Sequence, residues 1–122
     1  MPKIVHFEIP ADNPDRAQKF YTSVFGWKVQ KFPGYPVDYR LVTAGDEKEP
    51  GINGAIMARG QEKCVIDTID VPDIDAYIKK IEKAGGKIVL PKSAIPGVGY
   101  MAYFVDTEGN KLGIYKDDKS AK

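Results

Sequence analysis

Residues 3–29, KIVHFEIPADNPDRAQKFYTSVFGWKV, decide the fold because they recur in altered form as residues 63–89, KCVIDTIDVPDIDAYIKKIEKAGGKIV. The two stretches align without a gap at a constant offset of 60 residues. Seven aligned pairs are identical: Lys3/Lys63, Val5/Val65, Ile9/Ile69, Asp15/Asp75, Lys19/Lys79, Gly26/Gly86 and Val29/Val89. Self-similarity at a fixed period is the signature of a repeated structural unit. Two copies are too few for a solenoid, so we expect two modules that face each other across a shared cleft, a natural place for a small molecule.

The first copy has the pattern of a strand followed by a helix and a second strand. Ile4–Ile9 alternates between two faces, with His6 and Glu8 on one of them, as expected of a β-strand. The motif Asn13-Pro14-Asp15 predicts a helix start, because asparagine caps free N–H groups and proline suits the first turn. Gly26 is predicted to end this helix. Its expected apolar stripe consists of Ala17, Phe20, Tyr21 and Val24.

The second copy repeats this order, with Asp73 as the predicted helix cap and Gly85-Gly86 as the predicted stop. Its helical stripe is expected to consist of Ile74, Tyr77, Ile78 and Ile81. The other predicted strands are Trp27–Phe32, Tyr39–Thr43, Ile52–Met57, Cys64–Val71, Lys87–Leu90, Tyr100–Val105 and Lys111–Tyr115. We interpret Pro91–Gly99 as a flexible loop over the cleft and Asp117–Lys122 as a frayed polar tail.

Each half of the chain therefore reads β-α-β-β-β. The predicted fold class is α+β, with two βαβββ modules in tandem that form a curved mixed sheet around a central cleft, helices outside. We expect one domain over residues 1–122, with the first module at 3–60, the second at 61–116 and the tail at 117–122.

Composition narrows the function. Lys and Arg number 18 against 17 Asp and Glu, and the resulting net charge of +1 argues against a nucleic-acid partner. No apolar run is long enough to span a bilayer or to act as a signal peptide, so we expect a soluble, cytoplasmic protein without a membrane partner. Cys64 is the only cysteine, which excludes an internal disulfide and a multi-thiolate metal site.

Several motifs resemble the vicinal oxygen chelate superfamily, which includes glyoxalase I, extradiol dioxygenases, and the bleomycin and fosfomycin resistance proteins. The first module carries the resemblance in His6-Phe7-Glu8-Ile9, Asp15-Arg16-Ala17, Phe20-Tyr21 and Val24-Phe25-Gly26-Trp27. The second carries it in Gly85-Gly86-Lys87-Ile88, Ile95-Pro96-Gly97-Val98-Gly99 and Asp106-Thr107-Glu108-Gly109-Asn110. The likeness covers nearly the whole chain and is greatest to small glyoxalase-like members.

The resemblance also implies where a metal-dependent member would place its ligands. The first ligand falls on His6 and its repeat mate on Ile66. The carboxylate of the last strand falls on Gly113, and its first-module partner on Gly54 or Ala55. Isoleucine, glycine and alanine have no side-chain donor, whereas a catalytic divalent site normally has about three protein ligands. We therefore expect no metal and no other cofactor, and a divalent ion is disfavoured.

Catalytic candidates are His6, the only histidine, and Glu8, which lies two residues further along the same face. As an acid/base pair, Glu8 would tune the pKa of His6. The alternative is a histidine inherited from a metal-binding ancestor and now simply hydrogen-bonded to a carboxylate. Ligand-binding candidates near the expected cleft are Tyr39, Asn53, Arg59, Tyr100 and Tyr103, with Arg40 considered beside them; each tyrosine is alternatively a core or interface residue.

Three functions remain open from the sequence. The first is a glyoxalase/bleomycin-resistance-like protein that binds a small organic molecule in a metal-free cleft. The second is an enzyme, either a glyoxalase-like lyase or isomerase or a dioxygenase-type enzyme, with an atypical metal or a His/Glu acid-base site. The third is a non-catalytic interaction module. We also expect a homodimer, because curved half-barrels leave sheet edges that a second subunit can cover.

Overall fold

The computed structural model describes residues 2–122, which form two compact units. The N-terminal unit comprises Val5–Val65, and the C-terminal unit comprises Ile66–Lys122 together with residues 2–4. The chain repeats one order of elements twice, strand, helix and three strands. The predicted α+β class and the two βαβββ modules are thus confirmed.

The first module has its elements in the order β1 (Lys3–Ala11), α1 (Pro14–Phe25), β2 (Lys28–Lys31), β3 (Tyr39–Thr43) and β4 (Asn53–Ala58). These strands lie side by side in the order β2-β3-β4-β1. Strands β1 and β4 are parallel, and the other two neighbouring pairs are antiparallel.

The second module has β5 (Ile66–Asp70), α2 (Ile74–Lys83), β6 (Lys87–Ile95), β7 (Gly99–Val105) and β8 (Lys111–Asp117). Its strand order, β6-β7-β8-β5, and its pairing directions match those of the first module. The strand registers show which residues of the two modules are equivalent. Glu8 lies opposite Ala55 in the first module, and its repeat mate Thr68 lies opposite Gly113 in the second. Ala55, not Gly54, is therefore the repeat mate of Gly113.

Both helices begin at the caps expected from the sequence, α1 ends at the predicted Gly26, and α2 ends at Ala84, directly before Gly85 with its φ of +100°. The side chain of Asn13 accepts a 3.0 Å hydrogen bond from the N–H of Arg16, and that of Asp73 accepts one of 3.0 Å from Ala76. Gly26, with φ of +70°, terminates α1 in the left-handed conformation that a β-carbon disfavours. Helix α2 buries Ile74 against Val71, with Tyr77, Ile78 and Ile81 packed beside them, as predicted.

The predicted stripe of α1 is wrong in part. Ala17 and Tyr21 do pack against the core formed by Val42 and Ile56, but Phe20 and Val24 are 55% and 56% exposed. The physical reason is a buried arginine beneath the helix. Arg40 donates to Gln18 at 2.7 Å, so the helix turns its Gln18 side toward the sheet and rotates Phe20 away.

The predicted loop Pro91–Gly99 is also corrected. Strand β6 continues to Ile95, with irregular pairing to β7 on either side of Leu90, and a tight turn leads directly into Gly99. Pro91 is tolerated because β6 is the edge strand of its unit and the ladder is interrupted there.

The C-terminal tail is not frayed. Asp118 donates its N–H to the carbonyl of Val98 at 3.0 Å, and Gly97 donates its N–H to that of Ala121 at 3.0 Å. Ala121 is buried, so the tail is attached to the β6–β7 turn. Among residues 2–122, no helix is both long and apolar enough to cross a membrane.

Candidate functional site

The chemically distinctive part of the molecule lies on the sheet face of the N-terminal unit opposite α1. Alternation along β1 directs His6 and Glu8 to the same side, and β3 contributes Tyr39 two strands away. Between them on β4 lies Ala55, which is buried and packs with Tyr39. We attribute the reach of Tyr39 across β4 to the small size of the Ala55 side chain.

His6, Tyr39 and Glu8 form one hydrogen-bonded chain. The Tyr39 hydroxyl donates to Oε2 of Glu8 at 2.6 Å, and Nε2 of His6 lies 2.8 Å from the same hydroxyl. Glu8 is only 4% exposed and Tyr39 7%, so the hydrogen bond between them is shielded from water. Burial of a carboxylate is tolerated where hydrogen bonds replace its lost hydration. All three residues are site candidates predicted from the sequence, and the structure brings them together.

The electrostatics of this site favour an uncharged histidine. Burial lowers the pKa of His6 below its ordinary value of 6.5, and the opposing effect of the Glu8 charge is smaller. At neutral pH the imidazole is therefore neutral, able to accept a proton as well as donate one. Burial, together with the charges of Glu8 and Glu62, raises the pKa of Tyr35 to about 12, so this phenol also stays protonated.

An aromatic cluster of Phe32, Tyr35 and Tyr39 lies beside the hydrogen-bonded chain. The rings of Tyr35 and Tyr39 stack with centroids 4.3 Å apart, and Phe32 meets Tyr39 edge-on at 6.4 Å. The ring of His6 is nearly parallel to that of Tyr39, at 6.4 Å. Phe32, Tyr35 and Glu62 are not among the site residues predicted from the sequence. The one available signal was the aromatic spacing within the turn-rich segment that leads into β3.

Other predicted candidates in this unit are engaged elsewhere. Asn53 is paired with His6 in the ladder, but its side chain accepts a 2.9 Å bond from the N–H of Ala44 in the β3–β4 connection. Arg59 bonds to Asp12 at 2.8 Å. Arg40 points to the α1 side of the sheet, where Asp15, Asp38 and Gln18 accept its hydrogen bonds.

The two predicted tyrosines of the C-terminal unit lie on opposite faces of β7. Tyr103 packs with Ile66 and Met101, on the face opposite α2. Tyr100 packs on the α2 side, and the ammonium of Lys92 lies 4.6 Å from the centre of its ring. Register pairs Tyr103 with Gly113 and Leu41 with Ala55, so Tyr103 is the repeat mate of Leu41 rather than of Tyr39.

The residues at the four implied ligand positions do not fit a catalytic divalent metal. Only His6 has a donor side chain, while Ala55, Ile66 and Gly113 have none. A β-carbon added to Gly113 would lie 3.1 Å from Oγ1 of Thr68 and 3.2 Å from the ring of Tyr103, so that ring limits the space for a longer side chain. No cluster of three or more His, Cys, Asp or Glu side chains suited to a metal occurs within residues 2–122.

Comparison with known proteins identifies the family. The Glyoxalase/Bleomycin resistance protein/Dioxygenase superfamily matches residues 3–114. The chain belongs to this superfamily. A glyoxylase-like domain-containing protein of Didymella fabae is 31% identical over 119 residues, which cover 92% of this chain and 91% of that protein.

Two further relatives of this superfamily member are informative. CFP32 of Mycobacterium bovis, provisionally named a glyoxylase, is 28% identical over 118 residues, covering 92% of this chain. The chain spans only 44% of the length of CFP32. A Streptomyces coelicolor methylmalonyl-CoA epimerase variant, solved with 2-nitronate-propionyl-CoA, superposes with a TM-score of 0.70 over 100% of this chain and 99% of its own, at 14% identity. That likeness shows the shared fold.

Proposed function

We propose that this superfamily member binds a small organic molecule on the sheet face that carries His6, Glu8 and Tyr39, without a metal ion. The observation that carries the proposal is the hydrogen-bonded chain, in which a buried carboxylate is linked through one phenol to a partly buried imidazole. The neighbouring aromatic rings of Phe32 and Tyr35 provide apolar contact area. A few polar groups beside an apolar surface are typical of small-molecule sites.

The metal-free part of the proposal follows from the side chains available. Nε2 of His6 and Oε2 of Glu8 both bond to the Tyr39 hydroxyl, so these two atoms already have a partner. Ala55, Ile66 and Gly113 cannot complete a coordination sphere with side-chain donors. A ligand would then be held by hydrogen bonds and aromatic contact.

A thermal-shift screen of aromatic fragments and aldehyde–thiol adducts, in the presence of EDTA, tests this function. We expect at least one compound to raise the melting temperature of the wild type, because a ligand that binds only the native state stabilises it. The increase should be lost in His6→Ala and retained in Tyr77→Phe, because Tyr77 belongs to α2 and packs against the core of the other unit. Stabilisation that EDTA abolishes, or that His6→Ala leaves unchanged, would contradict the proposal.

Acid/base catalysis is the second candidate, as a lyase or isomerase acting beside a carbonyl. It is favoured by the neutral state of His6, since a general base must be unprotonated at working pH. Related proteins carry names of this type, a glyoxylase and an epimerase. Deuterium exchange from solvent into the hemithioacetal carbon of a bound 2-oxoaldehyde–thiol adduct, which lies next to the remaining ketone, would distinguish catalysis from binding alone if it is lost in His6→Ala.

We further propose a cytoplasmic homodimer. Edge strands β2 and β6 have one unpaired side within their units, and a second subunit is one way to cover apolar surface near them. Cys64 is exposed and unpaired, which suits a reducing compartment. Sedimentation at micromolar concentration should give twice the mass of the chain, and a pure monomer would contradict the dimer.

A further inference from the structure

We propose that Nδ1 of His6 is a hydrogen-bond acceptor of fixed tautomer, and that the ligand therefore binds this site through an O–H or N–H donor. The inference rests on the proposed function, because it concerns the ligand of that same site. It assigns the ligand class as an alcohol or an amine attached to an apolar body. Compounds whose only polar group is an ether or a carbonyl are excluded from this contact.

The number of hydrogens available to the hydrogen-bonded residues Glu8, Tyr39 and His6 fixes the tautomer of His6. A carboxylate has no hydrogen to donate, so the single proton of the Tyr39 hydroxyl lies in its 2.6 Å bond to Glu8. The Tyr39 oxygen can then only accept from His6, and the 2.8 Å contact requires a hydrogen on Nε2. A neutral imidazole carries one N–H, so Nδ1 is left with its lone pair.

Nδ1 is also accessible. Nε2 is the ring nitrogen of His6 that bonds to protein, and the partner of that bond is Tyr39. Within residues 2–122, no buried side-chain nitrogen or oxygen lacks a hydrogen-bond partner. Nδ1 therefore keeps contact with solvent, and a ligand that enters the site meets an acceptor.

The surroundings of His6 suit a ligand with an apolar body. The ring of His6 lies nearly parallel to that of Tyr39, and the rings of Tyr35 and Phe32 also neighbour the Tyr39 ring. The same arrangement makes Tyr39 a positioning residue. Because its hydroxyl donates to the Glu8 carboxylate, its oxygen must accept a hydrogen bond from the imidazole of His6. Without that hydroxyl, the hydrogen bond that selects one tautomer of His6 is lost.

Nitrogen-15 NMR of the uniformly labelled protein tests the tautomer directly, because His6 is the only histidine. At pH 7.5 we expect Nδ1 to resonate as an unprotonated ring nitrogen and Nε2 as a protonated one. Tyr39→Phe should move both signals toward the average of a tautomer mixture, while Tyr77→Phe should leave them unchanged. A protonated Nδ1 in the wild type, or identical spectra for wild type and Tyr39→Phe, would overturn the inference.

Two matched probes test the ligand class, benzyl alcohol and benzyl methyl ether, which share an aromatic body and differ in the O–H donor. We expect benzyl alcohol to shift the Nδ1 signal and to bind about fivefold more tightly than the ether, the effect of one net hydrogen bond. The preference should vanish in His6→Ala. Equal binding of the two probes would overturn the ligand class and leave the proposed function intact. Failure of both to bind would overturn both proposals.

Discussion

Glu8 and Tyr39 are 31 residues apart in the chain and are joined by a 2.6 Å hydrogen bond that is buried within the N-terminal unit. The bond links the first strand of the unit to the third, across β4. It also determines the hydrogen bonding of His6, because the Tyr39 hydroxyl that donates to Glu8 is the same hydroxyl that Nε2 of His6 contacts. Stability and chemistry at this site therefore depend on the same phenol.

Replacement of Tyr39 by phenylalanine should lower the free energy of unfolding by about 1–3 kcal/mol, because a buried carboxylate loses a donor. Urea denaturation of the purified variant measures the loss. Tyr77→Phe is the matched control, since its ring is partly exposed and we expect a change within about 0.5 kcal/mol. Equal stability of Tyr39→Phe and the wild type would show that the bond contributes nothing to the fold.

Stability should depend on pH through His6. Burial holds the pKa of His6 below 6.5 in the folded state. As the pH falls through about 6.5, the unfolded protein therefore binds a proton at His6 that the folded protein does not bind. The free energy of unfolding should then decrease from about pH 7.5 to about pH 5 and stay constant above that range, as far as this residue is concerned.

His6→Gln provides the comparison for this pH effect, because it removes the only imidazole. The variant should lose less stability than the wild type between the two pH values. Hydrogen bonds lower the pKa values of three carboxyl groups from 3.8, those of Asp38, Asp106 and Asp118. Their protonation changes the free energy of unfolding only at a more acidic pH. A wild type that becomes more stable as the pH falls would contradict the assigned direction.

Arg40→Lys should destabilise the protein by about 1–3 kcal/mol, because lysine cannot reproduce the planar fork that bonds both carboxylate oxygens of Asp38. Arg40 is 4% exposed, so the lost bonds are not replaced by water. Arg59→Lys is the control, because the pair with Asp12 is largely exposed and should change stability by less than about 1 kcal/mol. Similar losses in both variants would contradict the structural role of Arg40.

Gly54→Ala should destabilise the protein by about 1–3 kcal/mol, because a new β-carbon overlaps the carbonyl oxygen and the ring of Phe7. The overlap involves backbone, which cannot move aside as a flexible side chain does. Gly60→Ala meets no atom within 4 Å, so we expect no more than about 0.5 kcal/mol of change. Thermal unfolding of the two variants compares them, and a stable Gly54→Ala would refute the close approach of β1 and β4.

Much of the fold follows from local signals. Asn13 and Asp73 cap their helices as their positions predict, since capping depends on residues within one turn. The exposure of Phe20 does not follow from local signals, because it depends on Arg40, which lies twenty residues further along the chain and bonds beneath the helix. The continuation of β6 beyond Pro91 likewise could not be predicted from local sequence, because only the pairing with β7 shows that the proline lies at an interruption of the ladder.

The site was predictable residue by residue but not as an arrangement. Strand alternation places His6 and Glu8 on one side, and the family resemblance directs attention to His6. That Tyr39 bridges them requires β3 and β1 to flank β4 with Ala55 between them, a relation of three strands that the sequence does not encode locally. Asn53 and Arg59 have polar side chains of the right type, yet their partners, Ala44 and Asp12, are neighbours in space alone.

The most direct test of the central claim, a metal-free site, is metal analysis of the purified protein by mass spectrometry, with His6→Ala measured in parallel. We expect no stoichiometric Ni²⁺, Zn²⁺ or Fe²⁺ in either protein, because one imidazole is too few donors to retain such ions. Addition of these ions should not raise the melting temperature. One divalent ion per chain in the wild type, absent from His6→Ala, would contradict the account and assign His6 to a metal centre.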